Sequence, residues 1–182
     1  LILLDEASYI RNPDTDADTD VAVLDLSGLV TSLPGADEPA PVAFTVIAGT
    51  QPTDLFSKGS AVSYAVDAGT NTLTATSADG RVVFTLVVDS TAQTATFDLN
   101  DQLDHPAGSG DDAELTLDLG SWLQASVTDF DGDTVSQALT GLVTVSVEND
   151  VPVLTLAAEG VSGAVQEDAL GAATLGNTGD AD

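Results

Sequence analysis

Eleven short runs of alternating or β-branched residues, each ended by turn-forming residues, constrain this chain more than any other feature. They are Val21–Leu26, Val42–Ile47, Ala61–Val66, Leu73–Thr76, Arg81–Asp89, Thr94–Leu99, Glu114–Leu119, Leu123–Thr128, Val135–Leu139, Leu142–Val147 and Val153–Leu156. A 3.6-residue apolar period is almost absent, and runs this short at this spacing predict an antiparallel β-sandwich. Ser77-Ala78-Asp79-Gly80 predicts a hairpin between two of them, because Asp-Gly readily takes the positive φ that such turns need. Thr31–Pro41 and Asp101–Asp112, rich in Pro and Gly, read as loops. The second of these is the better candidate for a cation-bound or inserted feature.

At 182 residues the chain is long enough for a real core, and aromatic residues make up only 4% of it. The core must therefore come mainly from Val, Leu, Ala and Thr, which suit a pleated, half-buried surface. There is no Cys, so neither disulfides nor thiolate metal sites contribute. No apolar run is long enough to span a bilayer, which predicts no direct membrane insertion. The sequence lacks an initiator Met and a signal peptide, and reads as an excised fragment of something larger, monomeric on its own.

Three basic residues, Arg11, Lys58 and Arg81, stand against 30 acidic ones, for a formal net charge of −27. That balance argues against nucleic-acid binding and against docking on an anionic membrane, since both need cationic surface. Two carboxylates about 4 Å apart repel by about 1 kcal/mol in water and more near a protein surface. Clustered acids on a compact fold therefore call for counter-cations, either as a generally acidic, salt-adapted surface or as specific divalent-cation loops. The 24 Asp against 6 Glu favour loops, where the shorter side chain fits a tight oxygen cage.

The sharpest local signal is Asp129-Phe130-Asp131-Gly132-Asp133. Alternate acids converge on one side of a tight loop while Gly132 permits the bend, an arrangement that suits the six to eight oxygens of Ca²⁺ better than the strict octahedron of Mg²⁺. Its spacing is not that of an EF-hand, and an ion-free acidic turn is the competing reading. Asp14, Asp16, Asp18 and Asp20 alternate along a second acidic run, which an extended backbone would turn to one side; a solvated acidic loop is the equal alternative.

The chain also begins to repeat. Asp5-Glu6-Ala7 is echoed by Glu167-Asp168-Ala169 and Asp18-Thr19-Asp20 by Asp180-Ala181-Asp182, both at an offset of 162 residues. One register for both echoes points to one unit of a tandem array and the opening of the next, and arrays act mainly as spacers or scaffolds. Glu148-Asn149-Asp150-Val151-Pro152 ends the strand pattern, so a sandwich is expected over residues 1–150, with 151–182 as linker and start of the next repeat. Asp5, Glu6, Glu148, Asp150, Glu167 and Asp168 would then lie near joints, where carboxylates from both sides can share calcium.

His105, the only histidine, and Asp104 sit in Leu103-Asp104-His105-Pro106, with no second His to build a zinc site and no nucleophile elbow nearby. An enzyme is not expected. Trp122 is expected in the core between sheets; the competing role is stacking on a sugar.

Leu103-Asp104-His105-Pro106, Val127-Thr128-Asp129-Phe130-Asp131-Gly132-Asp133-Thr134 and Val145-Ser146-Val147-Glu148-Asn149-Asp150-Val151-Pro152, in that order, with Gln166-Glu167-Asp168 as a new opening, resemble repeats of giant type I-secreted RTX adhesins of Gram-negative bacteria. The resemblance is best over Leu73–Pro152. It implies an extracellular Ig-like or cadherin-like β-sandwich on the bacterial surface that binds Ca²⁺ through residues such as Asp104 and Asp129, within a protein of attachment and biofilm formation. Its partners would be neighbouring repeats of the same chain. The alternative within the same kind of adhesin is a module, or a platform for one, that binds glycan or peptide. The chain departs from the secretion tail of such proteins in having no glycine-rich nonapeptides, and from the family linker in having Asn149 before Asp150.

Overall fold

The computed structural model describes residues 2–5 (backbone only), 20–32, 41–50, 52–110, 113–149, 151, 154, 156, 159–160 and 162–163. By its internal contacts the chain divides into two units, Leu1–Pro152 and Val153–Asp182. The first is an all-β, sandwich-like fold. Its strands are β1 (Ile2–Asp5), β2 (Val21–Asp25), β3 (Val42–Val46), β4 (Phe56–Ser57), β5 (Ser60–Asp67), β6 (Thr72–Ser77), β7 (Val82–Asp89), β8 (Thr94–Leu99), β9 (Glu114–Asp118), β10 (Leu123–Thr128), β11 (Thr134–Ala138) and β12 (Thr144–Glu148).

One sheet has six strands in the order β2-β8-β7-β6-β5-β4, every neighbour antiparallel. The expected Asp-Gly hairpin joins β6 to β7: Ser77 N–H donates to Arg81 O at 2.9 Å, and Gly80 takes φ +90°. In β6 and β8 every second residue is buried, the signature of a sheet with one face in the core.

The strands β1-β12-β9 and β11-β10-β3 form two shorter sheets that share one bent hairpin. Six positions separate Asp118 from Gln124 on one arm, and six separate Ala138 from Thr144 on the other. The register Thr144↔Asp118 therefore continues as Gln124↔Ala138 with no residue gained or lost. The bend itself is a 3-10 turn, Leu119–Trp122. It stays closed through Gly120 N–H to Val143 O at 2.9 Å and Leu139 N–H to Leu123 O at 3.0 Å. Gly120 is required there, because a Cβ would stand 2.0 Å from Leu139 O. β1 runs parallel to β12, Ile2 beside Val145 and Asp5 beside Glu148.

Between the sheets lies a core that includes Phe44, Leu73, Phe84, Leu86, Phe97, Trp122, Leu123 and Val145. Trp122 is 1% exposed, and its ring centroid lies 5.3 Å from Tyr64 and 5.8 Å from Phe84. Burying one such large side chain contributes about 1.5–3 kcal/mol. Trp122 thus takes the core role expected of it, and a ring this enclosed has no face for a sugar.

Outside the strands read from sequence, the structure adds β1 and the two-residue β4. Val153–Leu156 differs: Leu154 and Leu156 carry no strand and are 88% and 83% exposed, while Val153 and Thr155 lie outside the described residues.

Candidate metal centre at the hairpin tip

The tip of the bent hairpin is Asp129–Asp133, closed by a hydrogen bond of 2.8 Å between the Thr128 and Thr134 hydroxyls. Asp129 organises the turn. Its N–H donates to Asp133 O at 3.0 Å, and its Oδ1 accepts from Asp133 N–H at 2.8 Å and Gly132 N–H at 3.1 Å. Gly132 sits at φ +98°, in the region that favours glycine. The result is that Asp129, Asp131 and Asp133 each offer a carboxylate oxygen, all within 4.8 Å of one another. Among the described residues this is the one such group of three.

Electrostatics at the tip are unbalanced. The hydrogen bond to Asp131 holds the Asp129 carboxyl below its ordinary value, with the Asp133 and Gly132 N–H groups helping, whereas the same contact and the charge of Asp129 push Asp131 up. Two carboxylates this close repel when both are charged, and a positive group between them relieves the repulsion. A shared proton serves below the carboxylate range; at neutral pH the chemistry of the donor set fits a hard, oxygen-seeking cation. Phe130, between the acids, is 90% exposed.

The other sequence-derived ligand candidates are distributed differently. Asp5 and Glu148 are register partners across β1 and β12, and Glu148 is also the partner of Glu114 on β9. Three acidic residues thus share one rung of the sheet at the end of the unit opposite the tip. Glu114 was not among the residues singled out from sequence; it is visible only once β9 is paired. Asp20 precedes β2 and accepts Leu99 N–H through its backbone oxygen at 2.8 Å. Asp14, Asp16, Asp18, Glu6, Asp150, Glu167 and Asp168 lie outside the described residues.

Asp104 is a turn cap. Its two oxygens accept Lys58 N–H and Gly59 N–H, each at 2.7 Å, across the β4–β5 turn where both residues have positive φ. Next to it, His105 bridges Leu103 O at 3.2 Å and Val147 O at 3.1 Å, fastening the 101–110 loop to β12. Its ring N–H can donate to either backbone carbonyl according to the tautomer, which gives the imidazole a structural occupation. The expectation that this loop gathers an external cation is met differently by Asp101, which is 6% exposed and bound by Lys58 and Arg81. Its cations come from the protein itself.

Turn capping also accounts for part of the Asp excess. Asp25, Asp67, Asp89, Asp104, Asp118 and Asp129 all accept backbone N–H groups in turns or across the bend. At Asp25, Asp67, Asp89 and Asp129, which cap residues two to four positions on, a side chain one methylene longer would overshoot the short ring. Asp over Glu is thus in part a signature of many tight turns.

The chain belongs to the family described as a domain of unknown function, DUF5801, which matches residues 2–140. No curated protein and no solved structure matches it.

Proposed function

We propose that this chain is a calcium-stiffened extender unit of a large secreted adhesin of the bacterial cell surface, a structural spacer rather than a catalyst. The observation that carries the calcium part is the Asp129–Asp131–Asp133 convergence, with a carboxylate oxygen from each within 4.8 Å of the others. Such an array repels itself at neutral pH and is relieved by a dication, which adds a cross-link at the hairpin tip. The Glu148–Glu114 pair supports the same reading at the open end of the hairpin, because like charges directly opposite on a sheet are destabilising unless screened or bridged, and Asp5 shares their register. The 162-residue echo supports the array, and the ordered motifs around His105, Asp129 and Glu148 support the adhesin, with attachment and biofilm formation as its setting. His105 and Trp122, engaged in loop fastening and core packing, favour a non-catalytic, non-lectin role.

The test is thermal unfolding in millimolar calcium against chelator. A ligand at a hundredfold excess over its Kd adds about 2.7 kcal/mol, roughly 5–10 °C in Tm for a chain of this size. The Tm is expected to rise by that order with wild type and not with Asp131→Asn. Identical melting curves with and without calcium reject the reading.

A further inference from the structure

The outer arm of the bent hairpin is covered along only half its length. β1 lies parallel against β12, but among the described residues no strand lies against the outer edge of β11, the other half of the same arm. Two other edges, those of β3 and β4, are blocked. Asn71 and Ser90 side chains bond the β3 backbone at Val46 and Phe44, and Asp104 N–H donates to Phe56 O of β4. β11 has neither device. It is exposed over Thr134–Gln137, carries no charge or proline, and leaves Val135, on the face shared with Val127, 76% exposed.

The sequence supplies a strand in register. Ile2 stands beside Val145, an offset of 143, and the chain repeats at an offset of 162. A residue at position n in the second unit therefore corresponds to a place beside position n − 19 of another copy (162 − 143 = 19). Ala164–Glu167 corresponds to Ile2–Asp5, and so to the place beside Val145–Glu148 that β1 already holds in that copy. Carried back in the same register, Val153–Ala157 falls beside Thr134–Ala138, the full length of β11. Leu154 comes beside Val135, both strongly exposed, and Val161 beside Leu142, itself 59% exposed. Gly160 comes beside Gly141, where the arm bends at φ +76°.

We propose that the bare edge of β11 accepts a parallel strand from a second copy of this chain, supplied by its Val153–Ala157 segment. The pairing continues the β1–β12 ladder past the bend and covers Val135. It makes each joint of an array a shared sheet rather than a free linker. This rests on the array reading of the chain, but not on calcium.

Because the chain has no Cys, the pairing can be trapped in the full chain with Val135→Cys/Leu154→Cys. The control is Val135→Cys/Thr155→Cys, whose second thiol points to the other face. Oxidation at about 1 M salt, where charge repulsion between copies is screened within about 3 Å, is expected to give a disulfide-linked head-to-tail ladder. A disulfide needs Cα atoms within about 4.4–6.8 Å, so the ladder should exceed the control by roughly tenfold. A ladder no stronger than the control, or links confined to single chains, overturns the proposal. Running the reaction in chelator and in calcium separates the two readings: a ladder in both, with unchanged melting in calcium, keeps the strand exchange and discards the calcium centre.

Discussion

Lys58 Nζ lies 2.7 Å from Asp101 Oδ1, and the Arg81 guanidinium holds the other oxygen of the same carboxylate. Two of the chain's three basic residues therefore converge on one of its 30 acids, and that acid is buried. Arg81 also bonds Asp79 at 2.9 Å and reaches Ser57 Oγ and Ser57 O at 3.2 and 3.0 Å, tying the β6–β7 hairpin to β4. Among the described residues the positive charge is thus concentrated at one structural junction.

Asp101→Asn should consequently be among the more damaging isosteric changes. Burial raises the Asp101 carboxyl, but hydrogen bonds from Lys58 and Arg81, with Gln102 N–H, outweigh it and hold the group below its ordinary 3.8. A depressed folded value contributes stability that is present above the unfolded value and lost as pH falls through the folded one. The carboxylate is buried but Lys58 is half-exposed and Arg81 partly so, which puts the cost of losing its charge at about 1–3 kcal/mol. The variant should lose that order of stability at neutral pH in urea unfolding, and its stability should fall less steeply below pH ~4 than that of wild type. Parallel pH profiles for the two proteins would remove the network from the account.

Most of the strands were legible because each requirement is local: β-branched residues alternate, and Asp-Gly, Asn and Pro mark the ends. β4 was not, because two residues carry no period and its place depends on Asp104 and Arg81, 46 and 24 positions away from Lys58 and Ser57. β1 escaped because Ile2-Leu3-Leu4 has no alternation and its pairing with β12 spans the whole unit. The tip carboxylates were legible, being within five positions of each other. The acidic rung was legible only in part, since Glu114 joins Glu148 through sheet pairing. Asp104 reads as a ligand from sequence because a carboxylate in a turn suits an ion, a lysine or a backbone N–H equally well, and the fold brings the Lys58 and Gly59 N–H groups to it.

Asp131→Asn should have opposite effects in the two ionic conditions. A carboxyl whose folded value is raised contributes stability at low pH that is lost as pH rises from the unfolded value through the folded one. Asp131 is raised by its contact with Asp129, so its own contribution in calcium-free protein should fall as pH climbs above about 4, while that of Asp129, which is lowered, should grow. Replacing Asp131 by Asn relieves their mutual repulsion and should raise the Tm in chelator at pH 7. In calcium the same variant should melt below wild type. A variant that melts lower in both conditions would make Asp131 a folding residue instead of a ligand.

Gly120→Ala should break the bent hairpin at its hinge. The added Cβ would meet Leu139 O at 2.0 Å and Leu139 C at 2.7 Å, both backbone atoms that cannot swing aside. Overpacking a tight site costs about 1–3 kcal/mol or more, and here the arm must open to accommodate it. Urea unfolding should show that loss, and amide exchange should accelerate at Gly120 and Leu139, whose N–H groups close the bend. Gly28→Ala is the control, since its Cβ would meet nothing within 4 Å. Equal stabilities for the two variants would mean the hinge tolerates a side chain.

Asn71 tests how the two sheets are held together. From the β5–β6 turn at φ +53°, its amide accepts Val46 N–H at 2.7 Å and donates to Phe44 O at 3.1 Å and Val88 O at 3.0 Å. One side chain thereby does for the β3 edge what a neighbouring strand would do, and links it to β7 of the other sheet. Asn71→Ala removes all three partners and adds strain at positive φ; a buried group left unpaired costs about 1–3 kcal/mol, so the sum should reach about 3 kcal/mol or more. Asn71→Asp keeps the bond to Val46 N–H but sets a carboxylate oxygen against two carbonyls, and should be as damaging at pH 7. That aspartate variant should recover stability as pH falls and the carboxyl gains a donor proton, whereas the alanine variant should not. If both follow the same pH curve in denaturant unfolding, the donor half of the amide is not what joins β3 to the opposite sheet.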